Sequence, residues 1–328
     1  MIIHDRSCST NASVWPQNAE VNQFMPVKLI APPHTPFDSN GKLNLDAVPR
    51  QAEHFRGAGV SGVFVCGSTG EGQSLAVDER MQLAERWVAV AKEAELEVII
   101  QVGHNCQPDA VRLAAHAAEI GANAVSALAP CYFKPATVDD LVDFFEPIAN
   151  AASSLPFFFY DIPVLTGVSL STIEFLRVGC ERLPNLAGVK YTNSDLIQFQ
   201  ECVRFADGQY EIWFGCDEAL LAGYALGARG AVGSTYNFAS PLYLQMIAAY
   251  DNGEEEAARE LQAQSIALIR ACQSFGYSAA AKAVMSLIGI DCGPVRSPLR
   301  NLTDEQTEQL RRKLERLNLL DLSSQTVA

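Results

Sequence analysis

Positive charge is scarce in this chain: 24 Lys and Arg stand against 38 Asp and Glu among 328 residues, a net charge of −14. Such a surface repels a polyanion, which sets nucleic acid aside as a partner. A small anionic substrate stays open, because a few backbone N–H groups hold a carboxylate whatever the net charge. Long hydrophobic runs are missing as well, and with them any expectation of a membrane-spanning helix. The nine cysteines, at positions 8, 66, 106, 131, 180, 202, 216, 272 and 292, are odd in number and never spaced Cys-x-x-Cys. That argues against a disulfide framework and a zinc site, and suits reduced thiols in a cytoplasmic protein. No His pair or carboxylate cluster has metal-ligand spacing. No Gly-x-Gly-x-x-Gly opens the first helical segment, which counts against a dinucleotide-binding, doubly wound sheet.

What the chain does contain is a compact-globule composition, 48% hydrophobic and 19% charged, with a strong βα period. Residues 1–24, rich in Ser, Asn and Gln and without an apolar core of signal-peptide length, are expected to be a flexible tail. Short apolar runs at 27–31, 62–66, 97–102, 124–129, 157–160, 186–190, 211–214 and 230–233 read as strands. Amphipathic segments at 46–56, 77–94, 108–120, 138–152, 170–177, 195–205 and 218–226 read as the helices between them. Eight consecutive units predict an α/β fold, a (β/α)8 TIM barrel, over residues 25–240. Helical segments at 241–251, 254–275, 277–288 and 303–319 exceed what a barrel needs. Residues 241–328 are therefore assigned to the last barrel helix and a C-terminal helical extension.

In such a barrel the reacting groups come from the C-terminal ends of the strands. That rule collects Ser68 and Thr69 after the second strand, Tyr132 after the fourth, Tyr160 and Asp161 at the fifth, and Lys190 and Thr192 at the sixth. It adds Asp217 and Glu218 after the seventh and Ser234 after the eighth. Of seven lysines only Lys190 falls on this face. A buried amine loses its charge readily and becomes a nucleophile, and a phenol on the neighbouring strand relays protons, a pairing suited to imine chemistry on a ketone. Each residue alone also has a plainer reading. Lys190 could cap a strand and reach solvent, and Tyr160 could be a core aromatic. Gly67-Ser68-Thr69-Gly70-Glu71 could be a tight turn, and Asp217 with Glu218 the first turn of a helix.

Three motifs in order carry a resemblance over roughly residues 27–299: Gly67-Ser68-Thr69-Gly70-Glu71, Tyr160-Asp161-Ile162-Pro163 with Thr166-Gly167, and Gly188-Val189-Lys190. Together they resemble the lysine-dependent pyruvate aldolases, the family that includes N-acetylneuraminate lyase and dihydrodipicolinate synthase. The stretches 159–167, 215–218 and 230–237 are most similar to the lyase branch, and Leu165 stands near the place where the synthase branch carries an arginine.

The resemblance implies that Lys190 forms an imine with the C2 ketone of sialic acid, that Tyr160 mediates proton transfer and that Ser68 and Thr69 bind the carboxylate. Thr192, Gly215, Asp217, Glu218, Gly233 and Ser234 would hold the hydroxylated tail. The products would be pyruvate and N-acetylmannosamine, with no cofactor or metal, from a homotetramer in which Tyr132 reaches a neighbouring subunit. Asp161 and Cys131 depart from the family pattern and bear on sugar specificity. Two alternatives stand beside this reading: a related aldolase or dehydratase acting on a 2-keto-3-deoxy sugar acid, and a non-catalytic binding barrel.

Overall fold

The computed structural model describes residues 27–318, so the expected tail and the last ten residues lie outside the described region. Eight parallel strands close a barrel in chain order: β1 Lys28–Ala31, β2 Gly62–Val65, β3 Glu97–Gln101, β4 Ala124–Leu128, β5 Phe157–Asp161, β6 Leu186–Tyr191, β7 Glu211–Phe214 and β8 Gly230–Val232. β1 pairs with β8 and seals the ring.

The helices are α1 Val48–Gly57, α2 Val77–Ala94, α3 Gln107–Glu119, α4 Val138–Ala151, α5 Pro163–Thr166, α6 Thr172–Arg182, α7 Leu196–Arg204, α8 Leu220–Ala225, α9 Tyr236–Asp251, α10 Glu255–Gln273, α11 Tyr277–Leu287 and α12 Asp304–Arg316. α2 shows why such segments are helical. Leu83, Ala84, Trp87, Val88, Ala91 and Ala94 recur at helical spacing and are buried, while the Glu79 carboxylate accepts the Ala76 N–H (3.0 Å) at its start.

Two hydrophobic clusters divide the core. One fills the space between strands and helices; the other, with Phe64, Phe158, Tyr160 and Trp213, fills the barrel itself. Phe158 and Trp213 stack there at 3.8 Å between centroids. Along β5 the sides alternate, Phe157 and Phe159 outward, Phe158 and Tyr160 inward.

β6 breaks that alternation. Its pairing with β5 shifts by one residue, from Phe157 opposite Leu186 to Phe158 opposite Gly188. Leu186, Val189 and Tyr191 all face outward, whereas Ala187 packs on the inner cluster. A strict period of two would send Val189 inward if Leu186 points outward, and Lys190 with Leu186 to the outside. The bulge at Ala187 reverses the sense of the strand and turns Lys190 into the barrel, opposite Tyr160 on β5.

The expected boundary at residue 240 falls inside α9, which begins at Tyr236, kinks at Ala239 and continues through Pro241. Proline fits the first turn after that kink, which is why a helix start is legible there. The C-terminal helices are also more than an appendage. Gln262 of α10 accepts the Leu221 N–H (2.8 Å) and donates to the Asp217 carbonyl (3.1 Å), bracing the turn after β7.

Candidate active site

The C-terminal mouth of the barrel holds a cavity of about 700 Å³, ample for a nine-carbon sugar acid. Lys190 lies at its floor, 3% exposed. Its Nζ sits 4.0 Å from the Phe64 ring centroid and 3.8 Å from that of Tyr160. Among the described residues no carboxylate pairs with it directly, so burial prevails and lowers its pKa to about 7, with the charge of Asp217 the main opposing influence. About half of such an amine is unprotonated at pH 7.

The Tyr160 hydroxyl is 3.4 Å from Ser68 Oγ. Burial pushes its pKa up to about 12, opposed by the Ser68 and Thr192 hydroxyls, so the phenol keeps its proton. Ser68 and Thr69 belong to the turn after β2, where Thr35 Oγ1 donates to the Gly70 carbonyl (2.5 Å). Glu71 ends that motif but faces away from the cavity. It pairs with Lys282 Nζ (2.8 Å) in the interior and accepts the Arg296 N–H (2.8 Å). Lys282 also donates to the carbonyls of Thr35 (2.8 Å) and Pro294 (2.7 Å), so the pair fastens the turns after β1 and β2 together.

Thr192, Gly215, Asp217, Glu218 and Ser234 line the cavity as the strand-end rule expects. Asp217 and Glu218 do not act as equals, however. Asp217 is buried and accepts the Thr235 N–H (2.8 Å) and hydroxyl (2.5 Å), tying the turns after β7 and β8; burial raises its pKa to about 6. Glu218 is exposed at the rim. The Ser234 hydroxyl lies 2.5 Å from that of Tyr277, a residue contributed by α11.

Gly215 and Gly233 serve by close approach. A Cβ on Gly215 would come within 2.0 Å of Thr192 Oγ1, and one on Gly233 within 2.3 Å of Asp217 Oδ1. Gly233 itself lies behind the lining rather than in it. Tyr132 is likewise absent from the lining; it is 76% exposed and packs edge-on against the exposed Phe133 at 4.9 Å.

Asp161 points outward, accepting from Thr172 Oγ1 (2.9 Å) and Asn193 Nδ2 (3.1 Å), so this departure from the family pattern does not enter the cavity. Linear spacing pointed to no metal ligands, yet His104, Cys106 and Asp109 bring donor atoms within 4.8 Å of one another on the loop into α3. That group lies outside the cavity lining, and His104 Nδ1 already accepts the Cys106 N–H (2.9 Å).

Sequence reasoning missed several lining residues, among them His34 and Tyr277. His34 follows β1, a strand end passed over in collecting the mouth, and the same rule applied there would have found it. Tyr277 lies on a helix beyond the barrel, where no strand-end rule reaches.

The model of the dihydrodipicolinate synthetase family matches residues 25–317. The chain belongs to the dihydrodipicolinate synthetase family. Within it, the chain is 38% identical over 299 residues to the human N-acetylneuraminate lyase, covering 90% of this chain and 93% of that protein. Among solved structures it superposes on a Proteus mirabilis N-acetylneuraminate lyase with a TM-score of 0.87 at 41% identity, covering 89% of this chain and 99% of the other. It also superposes on a Ruminococcus gnavus sialic acid aldolase catalytic lysine mutant with a TM-score of 0.85 at 30% identity, covering 92% and 98%. The lysine-dependent chemistry expected from the three motifs thus meets the family assignment on the same barrel. Among the described residues, no helix is long and apolar enough to cross a membrane, and no disulfide joins the eight cysteines.

Proposed function

We propose that the protein is a class I aldolase that cleaves N-acetylneuraminate reversibly to N-acetylmannosamine and pyruvate. The observation that carries this is Lys190, an amine buried without a paired carboxylate at the floor of the cavity and packed on the ring of Tyr160. The named activity of its relatives supports the choice of substrate.

In this reading Ser68 and Thr69 hold the carboxylate of the open-chain sugar acid. The Lys190 amine attacks the C2 ketone, and Tyr160 relays protons as the carbinolamine loses water to give the iminium. The C4 hydroxyl gives up its proton and becomes an aldehyde as the C3–C4 bond breaks. The bonding pair passes into the iminium, leaving a pyruvate enamine on Lys190. Protonation at C3 and hydrolysis release pyruvate and restore the amine. The imine itself is the electron sink, so the reaction draws on no metal or organic cofactor. Thr192, Asp217, Glu218 and Ser234 hold the hydroxylated tail, with Gly215 and Gly233 giving Thr192 and Asp217 their room.

The aliphatic, exposed Leu165 at the rim supports the lyase over a synthase-like reaction, since it offers nothing to a second carboxylate. We place the enzyme in the cytoplasm as a homotetramer, in which the exposed Tyr132 would reach a neighbouring subunit; light scattering of the purified chain tests the assembly.

Borohydride reduction in the presence of pyruvate, followed by peptide mass mapping, tests the mechanism: the adduct is expected on Lys190, and a label elsewhere overturns it. Incubation with pyruvate and N-acetylmannosamine should yield sialic acid. Failure there, with turnover of a 2-keto-3-deoxy sugar acid, would reassign the substrate.

A further inference from the structure

His34 is an anomaly in the wall of the cavity. It lines the cavity beside Ser68 and Thr69, yet its side chain is 1% exposed, and among the described residues neither ring nitrogen has a partner in full hydrogen-bond geometry, the Thr69 backbone being the one hydrogen-bonding group that engages the ring at all. Burying a polar ring with both nitrogens unsatisfied is costly, and such a group in a native interior calls for a reason.

The backbone around it leaves little freedom to move away. Gln51 Nε2 donates to the His34 carbonyl (2.9 Å), and Lys282 Nζ donates to the next carbonyl, that of Thr35 (2.8 Å). The Thr35 hydroxyl bonds the Gly70 carbonyl (2.5 Å), which fixes the loop against the turn that carries Ser68 and Thr69. Pro32, Pro33 and Pro36 stiffen the same loop. A ring held this firmly against the carboxylate-binding turn, with its nitrogens unspent, is preorganised for a ligand.

We propose that His34 is a substrate-binding residue whose ring N–H donates a hydrogen bond to the keto acid's carboxylate, alongside the hydroxyls of Ser68 and Thr69. This rests on the proposed function. Burial, helped by the positive charge of Lys282 and only partly offset by the Thr69 backbone, lowers the imidazole pKa to about 3, so the ring is neutral and carries one N–H at physiological pH. The carboxylate oxygens offer about four acceptor sites, more than two hydroxyls fill. A neutral donor adds a charge-assisted bond without placing a second cation near Lys190, which must itself stay uncharged to react.

The test compares His34→Leu and His34→Gln with the wild type. Two readouts are followed: the pyruvate concentration for half-maximal borohydride trapping, and that for the half-maximal thermal shift produced by pyruvate. His34→Leu is expected to raise both by about tenfold or more, with the trapping rate at saturation little changed and the melting temperature equal to or above wild type. His34→Gln, which keeps a donor, should stay within about threefold of wild type.

If His34→Leu is insoluble, His34→Phe fills the ring's volume without a donor and serves in its place. Unchanged half-saturation in the donor-free variant overturns the proposal. So does equal impairment of both variants with a lowered melting temperature, which marks a structural role. Should pyruvate shift the wild-type melting temperature yet leave no adduct on Lys190, the imine mechanism fails while the His34 assignment is still decided by the thermal half-saturation.

Discussion

Lys190 offers the sharpest prediction because one number, a pKa lowered from an ordinary 10.5 to about 7 by burial, governs both reactivity and stability. At pH 7 about half of such an amine is free, against roughly one part in 3,000 for an ordinary lysine, a gain on the order of a thousandfold in nucleophile. Labelling by a small acylating reagent, with peptide mass used to isolate the signal at Lys190, should therefore rise through a midpoint near pH 7. Asp217→Asn removes a charge that favours the ammonium and should move that midpoint lower.

The same shift fixes a sign for stability. Below pH 7 both folded and unfolded chains carry the proton, and the folded state bears the full cost of a buried charge. Between 7 and 10.5 the unfolded chain binds more protons, so stability rises with pH; above 10.5 the cost is gone. Lowering from 10.5 to about 7 corresponds to a cost on the order of 5 kcal/mol at low pH. Lys190→Met should accordingly be inactive yet more stable than wild type in urea at pH 6, with the advantage shrinking toward pH 10. A labelling midpoint near 10, or a Lys190→Met advantage over wild type no larger at pH 6 than at pH 10, refutes the desolvation argument.

Four further outcomes follow from the contacts. Tyr160→Phe keeps the ring under Lys190 and removes only the relay, so kcat should fall on the order of a hundredfold while the pyruvate adduct still forms, as steady-state and trapping assays will read. Glu218→Ala, at the exposed rim, should raise KM for sialic acid and leave the melting temperature and pyruvate trapping alone. Asp217→Ala should also cost about 1–3 kcal/mol of stability, because the Thr235 N–H and hydroxyl lose their acceptor. Lys282→Met strands Glu71 in the interior and should cost about 3–5 kcal/mol, with much of it recovered when Glu71→Leu is added, as urea midpoints will show.

Much of this protein was legible in its sequence. The βα period comes from side chains that must bury one face of a strand and one stripe of a helix, and eight such units are written in order along the chain. The strand-end rule then gathers Ser68, Thr69, Tyr160, Lys190, Thr192, Asp217 and Ser234 without reference to any contact, and all of them line one cavity. Glu71 and Asp217 show the limit of that rule. Glu71 follows the cavity turn yet is consumed by Lys282, 211 positions on, while Asp217 lines the cavity with one carboxylate oxygen already taken by Thr235, 18 positions on.

Tertiary structure alone decided which way the reactive side chains point. Periodicity fixes that neighbours alternate, but a one-residue bulge reverses the sense, and Gly188 signals an irregularity in the strand without saying which way it turns Lys190. The bulge at Ala187 is what turns Lys190 from the helix layer into the barrel and onto Tyr160. Desolvation then follows from where the amine ends up, not from its neighbours in the chain. The lysine was the sequence's to supply; its free amine is a property of the closed barrel.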